Sequence, residues 1–123
     1  MQWFLLVVAG ALGTVARYAL SGIIYGVFGS RFPFGTVIVN LLGCFFTGFL
    51  VSISETKFLL TPNMRTFLLI GFLGAFTTFS AFMLETADLI KEGHAWLAFW
   101  NIFVSLVIGF LIFRLGVFSG EMI

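Results

Sequence analysis

The sequence predicts an all-α membrane protein of four transmembrane helices. Hydrophobic residues make up 61% of the chain. Charged residues make up only 9%, against roughly 25% in soluble domains. Four apolar stretches are each long enough to supply the roughly 20 residues with which a helix crosses a bilayer. Only short connectors separate these stretches, so we expect no extramembrane domain and treat residues 1–123 as a single transmembrane domain.

The helices are predicted at four ranges: about residues 3–28, 34–54, 65–90 and 95–118. The second contains no charged residue, and the first is interrupted only by Arg17. Pro62 is expected to mark a turn in the connector before the third helix, and Gly93 to stop that helix at its far end.

The distribution of basic residues bears on how the chain inserts. An even number of spans places both termini and the middle connector on one side of the membrane. The two sides carry similar sets of Lys and Arg: Lys57, Arg65 and Arg114 against Arg31 and Lys91, joined by Arg17 if it leans that way. Because orientation follows the Lys/Arg bias of short loops, a near tie predicts dual topology and permits an antiparallel homodimer. The alternative is one orientation set by a weak bias.

Several classes of function are disfavoured by the residues present. A net charge of +1 offers no basic field for nucleic acid. No paired carboxylates, no nucleophile beside a base and no phosphate loop occur, so we expect no enzyme. The single His94 and the single Cys44 do not make a metal site, and Cys44 is expected to be a small packing residue.

Polar residues inside the spans are the candidates for function, because they are costly in lipid. Asn40 needs partners for its amide, which a helix contact or a pore would supply. Arg17 either extends toward the membrane surface, attracts ions or has a structural role. Glu85 lies three residues after Phe82 and so on nearly the same helical face. Asn101 and Ser105 form a polar stripe on the fourth helix, and with Glu85 they are expected to line a shared aqueous vestibule.

The most informative segment is residues 71–82. Gly71 and Gly74, followed by Thr77, Thr78 and Ser80, can interrupt the third helix and free backbone carbonyls at membrane depth. Irregular backbone of this kind is tolerated only inside protein or around a watery cavity, and free carbonyls are ligands for hard cations. The alternative is a straight helix whose small residues allow close packing.

A pore lined by such groups would favour a small anion. It would offer amide and hydroxyl donors together with aromatic ring edges, which carry partial positive charge. A cation path would more naturally use rings of carboxylates, and Glu85 stands almost alone inside a span.

The chain resembles the Fluc (CrcB) family of microbial fluoride channels over essentially its whole length. The motifs that carry the resemblance are Gly10-Ala-Leu-Gly13-Thr-Val-Ala-Arg17-Tyr18, Gly35-Thr36-Val-Ile-Val39-Asn40-Leu-Leu-Gly43 and Gly74-Ala-Phe-Thr77-Thr78-Phe79-Ser80-Ala-Phe82. Each is moderately specific, and their order within a four-span chain is strongly specific.

The resemblance implies a dual-topology antiparallel homodimer in the bacterial inner membrane. Such a dimer would export fluoride passively through two pores along the subunit interface, excluding chloride and reducing the toxicity of cytoplasmic fluoride. The third helix would be broken, and the backbone carbonyls of Gly74 and Thr77 from both subunits would hold a structural sodium ion at the dimer centre.

The resemblance also implies roles for particular side chains. Phe79 and Phe82 would present ring edges to the anion, and Asn40 would donate from its amide. The polar track would continue through Ser80 and Glu85, and Ser105 of the fourth span would also line the pore. Arg17 would lie near the pore vestibule.

Two positions depart from the family pattern. Ala81 stands where many relatives have threonine, which removes a hydroxyl from the polar track, and Thr14 stands where alanine is common.

Two other functions remain open from the sequence. A small proton-coupled multidrug exporter of dual topology would need a carboxylate within the membrane, and Glu85 is the candidate. A non-transporting membrane scaffold would use the polar residues and the Gly-Thr segment only for packing.

Overall fold

The computed structural model describes all 123 residues and contains helices and connectors but no strand. Four helices are long and apolar enough to cross a membrane: Gln2–Phe28, Phe34–Thr56, Pro62–Lys91 and Ala95–Glu121. These are called the first to fourth spans below. The prediction of an all-α, multi-pass membrane protein is confirmed.

The third span begins earlier than the sequence predicted. Pro62 does not mark a turn outside the helix but stands at its beginning, where a missing backbone N–H costs nothing and the fixed φ of proline suits a helix. Thr61 caps this end, since its hydroxyl accepts a hydrogen bond from the Met64 amide at 3.2 Å. At the other end Gly93 adopts a φ of +81°, which fits its predicted role as a helix stop.

Glycines set the closest contacts between spans. A Cβ atom added to Gly48 of the second span would collide with the Phe113 carbonyl of the fourth, and one added to Gly116 would collide with the Phe45 carbonyl. A Cβ atom on Gly13 of the first span would likewise collide with the Phe72 carbonyl of the third. Small residues let helix backbones approach in membranes, so these glycines hold the spans in two close pairs.

The third span is not uniformly α-helical. It is π-helical over Thr66–Leu73 and α-helical over Gly74–Phe76. Thr77 (φ −86°, ψ 154°) and Thr78 (φ −147°, ψ 118°) then adopt extended conformations, and the helix resumes over Phe79–Lys91. These two residues are called the interruption below. The fourth span also contains a π-helical stretch, Val104–Ile108, and π-helical turns often accompany functional sites.

The interior of the single chain is small. Its main apolar cluster consists of Val39, Leu73 and Phe76, beside the interruption. Most large apolar side chains lie on the outside instead, among them Trp3, which is 83% exposed. Such a surface suits lipid or another apolar protein surface rather than water.

Candidate functional site

The side chain of Asn40 pairs with the backbone at the interruption. Its Nδ2 atom donates to the Thr78 carbonyl at 2.9 Å, and its Oδ1 atom accepts from the Thr78 amide at 2.8 Å. A backbone segment outside a helix needs partners at membrane depth, because lipid offers none. Asn40 therefore satisfies both backbone groups of a residue that has left the helix.

Arg17 contacts the same region from the first span. Its Nε atom donates to the Ala75 carbonyl at 3.1 Å, and the side chain is half-buried. Of the roles that the sequence left open for this residue, the contact favours a structural one. Arg17 and Asn40 thus approach the end of the helical segment Gly74–Phe76 from two different spans.

The carbonyl groups of Gly74 and Thr77 are among those that lose their helical partners at the interruption. In an unbroken helix the Thr78 amide would donate to the Gly74 carbonyl, but here it donates to Asn40. The Ala81 amide would donate to the Thr77 carbonyl, but here it donates to the Thr78 hydroxyl at 3.3 Å. Since Asn40 and the Thr78 hydroxyl have taken these amides, the carbonyls of Gly74 and Thr77 are free of the helical ladder.

A cavity of about 290 Å³ lies beside the interruption. Five of the site residues that the sequence selected line it: Asn40, Thr77, Phe79, Phe82 and Ser105. Its walls also include the side chains of Thr47 and Cys44, so the cysteine expected only to pack lies at this cavity. We call this space the amide cavity. Its lining contains amide, hydroxyl, thiol and aromatic groups and no charged residue.

The two phenylalanines of the amide cavity differ in burial. Their ring centroids are 5.7 Å apart and the rings are tilted by 55°. Phe82 is 3% exposed, whereas Phe79 is 69% exposed. The wall that Phe79 forms therefore faces the outside of the single chain. Ser105 also lines the cavity, and its hydroxyl is buried without a hydrogen-bond partner.

Ser80 lies outside the amide cavity. Its side chain is exposed, and its hydroxyl lies 3.5 Å from that of Thr78. Its assignment to a polar track stays a prediction.

A second cavity of about 280 Å³ lies near one end of the spans. Its lining is more strongly charged and consists of Tyr25, Ser30, Arg31, Pro33, Glu85, Asp88, Leu89 and Glu92. We call this space the carboxylate cavity. Phe82 lines the amide cavity and Glu85, three residues later, lines the carboxylate cavity, so one helical face borders both.

Glu85 is held by hydroxyl groups from two other spans. Its Oε1 atom accepts hydrogen bonds from Thr36 Oγ1 at 2.8 Å and from the Tyr25 hydroxyl at 3.3 Å. The Tyr25 and Thr36 oxygens are themselves 3.4 Å apart. The other carboxylate oxygen, Oε2, is buried and has no hydrogen-bond partner.

The structure separates the three residues that were expected to share one vestibule. Glu85 lines the carboxylate cavity and Ser105 the amide cavity, while Asn101 lines neither. Asn101 is 1% exposed, and its Nδ2 atom donates to the Thr86 hydroxyl at 2.9 Å. Glu85 and Thr86 are adjacent on a helix and point about 100° apart, so only Thr86 faces the fourth span.

Sequence reasoning missed two residues of this region, Tyr25 and Thr36. Thr36 lies one helical turn before Asn40 and so on nearly the same face, which was a usable signal. Tyr25 carried no such signal, because tyrosines are common near the ends of membrane spans.

Comparisons with known proteins identify the family. Residues 4–117 match the family described as CrcB-like protein, Camphor Resistance (CrcB). A protein of Desulforapulum autotrophicum named fluoride-specific ion channel FluC is 42% identical over 122 residues, covering 99% of this chain and 98% of its own. Proteins of the same name from Geobacter sp. strain M21 and Solidesulfovibrio magneticus are 47% identical over 98 residues and 44% identical over 116 residues. These alignments cover 80% and 94% of this chain, and 79% and 92% of the respective relatives. With a match over nearly its entire length, the chain belongs to the CrcB family.

Proposed function

We propose that this protein is a fluoride-selective channel through which fluoride leaves the cell passively, which lowers its toxicity in the cytoplasm. The observation that carries the proposal is the amide cavity, an uncharged space beside an interrupted helix whose lining includes amide and hydroxyl groups and phenylalanine rings. The name shared by the relatives describes an ion channel for fluoride, and it agrees with the expectation that the chain is not an enzyme.

The chemistry of the amide cavity suits a small, strongly hydrated anion. Asn40 Nδ2 carries two hydrogens and gives one to the Thr78 carbonyl, so one is left to donate. The Ser105 hydroxyl has no partner in the protein and can also donate. Phe79 and Phe82 can present ring edges that carry partial positive charge. Such neutral donors replace water without the fixed positive charge that would hold the ion too tightly for conduction.

We further propose that two copies associate as an antiparallel homodimer in the bacterial inner membrane and form two pores. The near tie of basic residues supports dual topology. The exposure of Phe79, 69% in the single chain, supports a pore wall that a second copy completes. In this arrangement the interrupted part of the third span lies near the dimer centre.

The free carbonyls of Gly74 and Thr77 fit a structural sodium ion at that centre. Gly74 is exposed in the single chain and so is accessible to a second copy. Uncharged backbone oxygens are suitable ligands for a hard monovalent cation, and no cluster of His, Cys, Asp or Glu competes for a metal. A bound sodium ion would supply positive charge that holds these carbonyl dipoles together.

The proton-coupled multidrug exporter is the alternative that Glu85 keeps open. That function would require the carboxyl group to exchange protons with the solution and bind cationic substrates. In the structure Glu85 Oε1 already accepts two hydroxyl hydrogen bonds, and the relatives are named as fluoride channels. The channel is therefore the function that we adopt.

The test is anion efflux from liposomes that contain the purified protein. Vesicles loaded with fluoride or with chloride are diluted into anion-free buffer under a potassium/valinomycin shunt, and release is recorded with ion-selective electrodes. We expect rapid fluoride release, negligible chloride release, and neither in protein-free vesicles. Folded protein that releases no fluoride would contradict the proposal, and pH-driven cation efflux that is lost in Glu85→Gln would establish the exporter instead.

A further inference from the structure

Tyr25 occupies a restricted position between the first and second spans. A Cβ atom added to Gly35 would lie 2.5 Å from Tyr25 Cε2 and 2.8 Å from Cδ2, so the ring rests directly on the bare backbone of Gly35. The ring is half-buried, and its hydroxyl reaches the carboxyl group of Glu85 across 60 positions of sequence. Glycine at position 35 is therefore what allows a tyrosine on the first span to contact a carboxylate on the third.

The contact controls the orientation of Glu85. The Tyr25 and Thr36 hydroxyls both donate to Oε1, and together they fix the plane of the carboxyl group. Two donors on one oxygen also draw negative charge toward that oxygen, on the side of the first and second spans. Without them the side chain would be free to turn into other rotamers.

The position of Glu85 makes this orientation important for an anion. Glu85 follows Phe82 by one helical turn, on the face that borders both cavities. An anion that left the amide cavity along this face would meet the carboxyl group next. A carboxylate that turned into this route would repel fluoride, whereas one held against Tyr25 and Thr36 leaves the route open.

We propose that Tyr25 is a positioning residue of the ion path, which together with Thr36 holds the Glu85 carboxyl group in the orientation that lets fluoride pass between the two cavities. This inference rests on the proposed channel function. Tyr25 itself need not touch the ion, since it acts through Glu85.

The test compares Tyr25→Phe with Tyr18→Phe. Both substitutions remove one phenolic hydroxyl from the first span, but Tyr18 is 81% exposed and its side chain makes no hydrogen bond. Fluoride efflux from liposomes is measured together with thermal stability. Losing one hydrogen bond to a carboxyl group is expected to lower flux about three- to tenfold in Tyr25→Phe, with the melting temperature close to that of the unsubstituted protein. Tyr18→Phe should match the unsubstituted protein in both measurements.

A second readout separates positioning from general packing. The carboxyl carbon of Glu85 is followed by ¹³C NMR in glutamate-labelled protein and assigned by its absence in Glu85→Gln. Tyr25→Phe should shift this resonance, and Tyr18→Phe should leave it in place. Equal flux in the two tyrosine variants would overturn the proposal, as would reduced flux in Tyr25→Phe with an unmoved Glu85 resonance.

If Tyr25→Phe does not fold, Thr36 provides the same test. Thr36→Val removes the other hydroxyl at nearly constant volume, and Thr36→Ser retains it. We expect Thr36→Val to lose fluoride flux and to shift the Glu85 resonance. Thr36→Ser should keep the flux and the resonance position of the unsubstituted protein. Unchanged flux in Thr36→Val would overturn the proposal. Failure of the channel function itself is distinguishable, because the unsubstituted protein would then release no fluoride.

Discussion

The side-chain amide of Asn40 pairs with both backbone groups of Thr78, at 2.9 Å and 2.8 Å. The pair resembles two neighbouring residues of a β-ladder, but one partner is a side chain. It lets the third span leave the helix at Thr77 and Thr78 without an unpaired amide on Thr78. The same residue has one amide hydrogen left for the amide cavity, so Asn40 combines a structural contact with a candidate ion contact.

Replacing Asn40 with leucine should destabilise the protein and stop fluoride flux. The substitution would leave the Thr78 N–H and C=O groups unpaired, at a cost of about 1–3 kcal/mol for each buried group. Thermal unfolding in detergent and liposome efflux measure the two effects. The control is Asn63→Leu, at an exposed position near the start of the third span. Similar melting temperatures for the two variants would show that the Asn40 contact does not support the interruption.

Replacing Phe79 or Phe82 with isoleucine should suppress fluoride flux at least about tenfold, because an aliphatic side chain has no positive ring edge to offer the anion. Phe82→Ile should also lower thermal stability more than Phe79→Ile, since Phe82 is 3% exposed and Phe79 is 69% exposed. Phe110→Ile is the matched control, since Phe110 is 63% exposed and lines neither cavity. Unchanged flux in both cavity variants would refute the proposed role of the rings.

Ser105→Ala should reduce fluoride flux with little change in stability. Ser105 lines the amide cavity, and its buried hydroxyl has no hydrogen-bond partner in the protein, so removing it breaks no internal hydrogen bond. A donor lost from the ion path is expected to lower flux about two- to tenfold. The measurement is efflux per folded protein, and a variant as fast as the original would remove Ser105 from the path.

Asn101→Ala should lower stability and leave fluoride flux unchanged, the reverse of the effects expected for Ser105→Ala. Asn101 is buried against Thr86 outside both cavities, and its loss should cost about 1–3 kcal/mol of stability. Fluoride flux per folded protein should stay near the original value, because no cavity wall changes. Denaturation measures the change in the free energy of unfolding, and liposome efflux from the same preparations measures the fluoride flux. A stable variant with impaired flux would place Asn101 on the ion path, in line with the original expectation from the sequence.

Sodium should stabilise the assembled protein if the carbonyls of Gly74 and Thr77 bind it. A ligand that binds only the folded state at 100 times its Kd adds about 2.7 kcal/mol. Melting temperature is therefore measured in sodium chloride and in N-methylglucamine chloride at equal ionic strength. A higher value in sodium supports the site, and identical values in the two salts would count against it.

The spans were predictable because a transmembrane helix is specified by local composition. Their number and most of their ends follow from length and hydrophobicity. The two largest differences are at Pro62, where the third span begins three residues earlier than predicted, and at Glu121, where the fourth span ends three residues later. Proline either ends or begins a helix, which explains the first difference. The Gly-Thr segment likewise marked where the third span becomes irregular. Asn40 and Ser105 were selected because polar residues are rare enough in apolar spans to be noticed singly. Phe79 and Phe82, two of 18 phenylalanines, were assigned only through the family resemblance.

Which polar groups meet was decided by the tertiary structure. When nearly every face of a helix is apolar, hydrophobic periodicity does not report how the helix is rotated. Close approach at Gly13, Gly48 and Gly116 fixes which faces of the paired spans meet. The adjacent Glu85 and Thr86 face different spans because successive residues of a helix point about 100° apart.

The sequence by itself thus determined a four-span membrane protein and singled out residues 71–82, since both inferences depend on neighbouring residues. Only the folded chain brings Asn40 to Thr78, 38 positions away, and Tyr25 to Glu85, 60 positions away. The physical reason is that a hydrogen bond requires two groups within about 3 Å. Such distances depend on the packing between helices, which the composition of each helix does not specify.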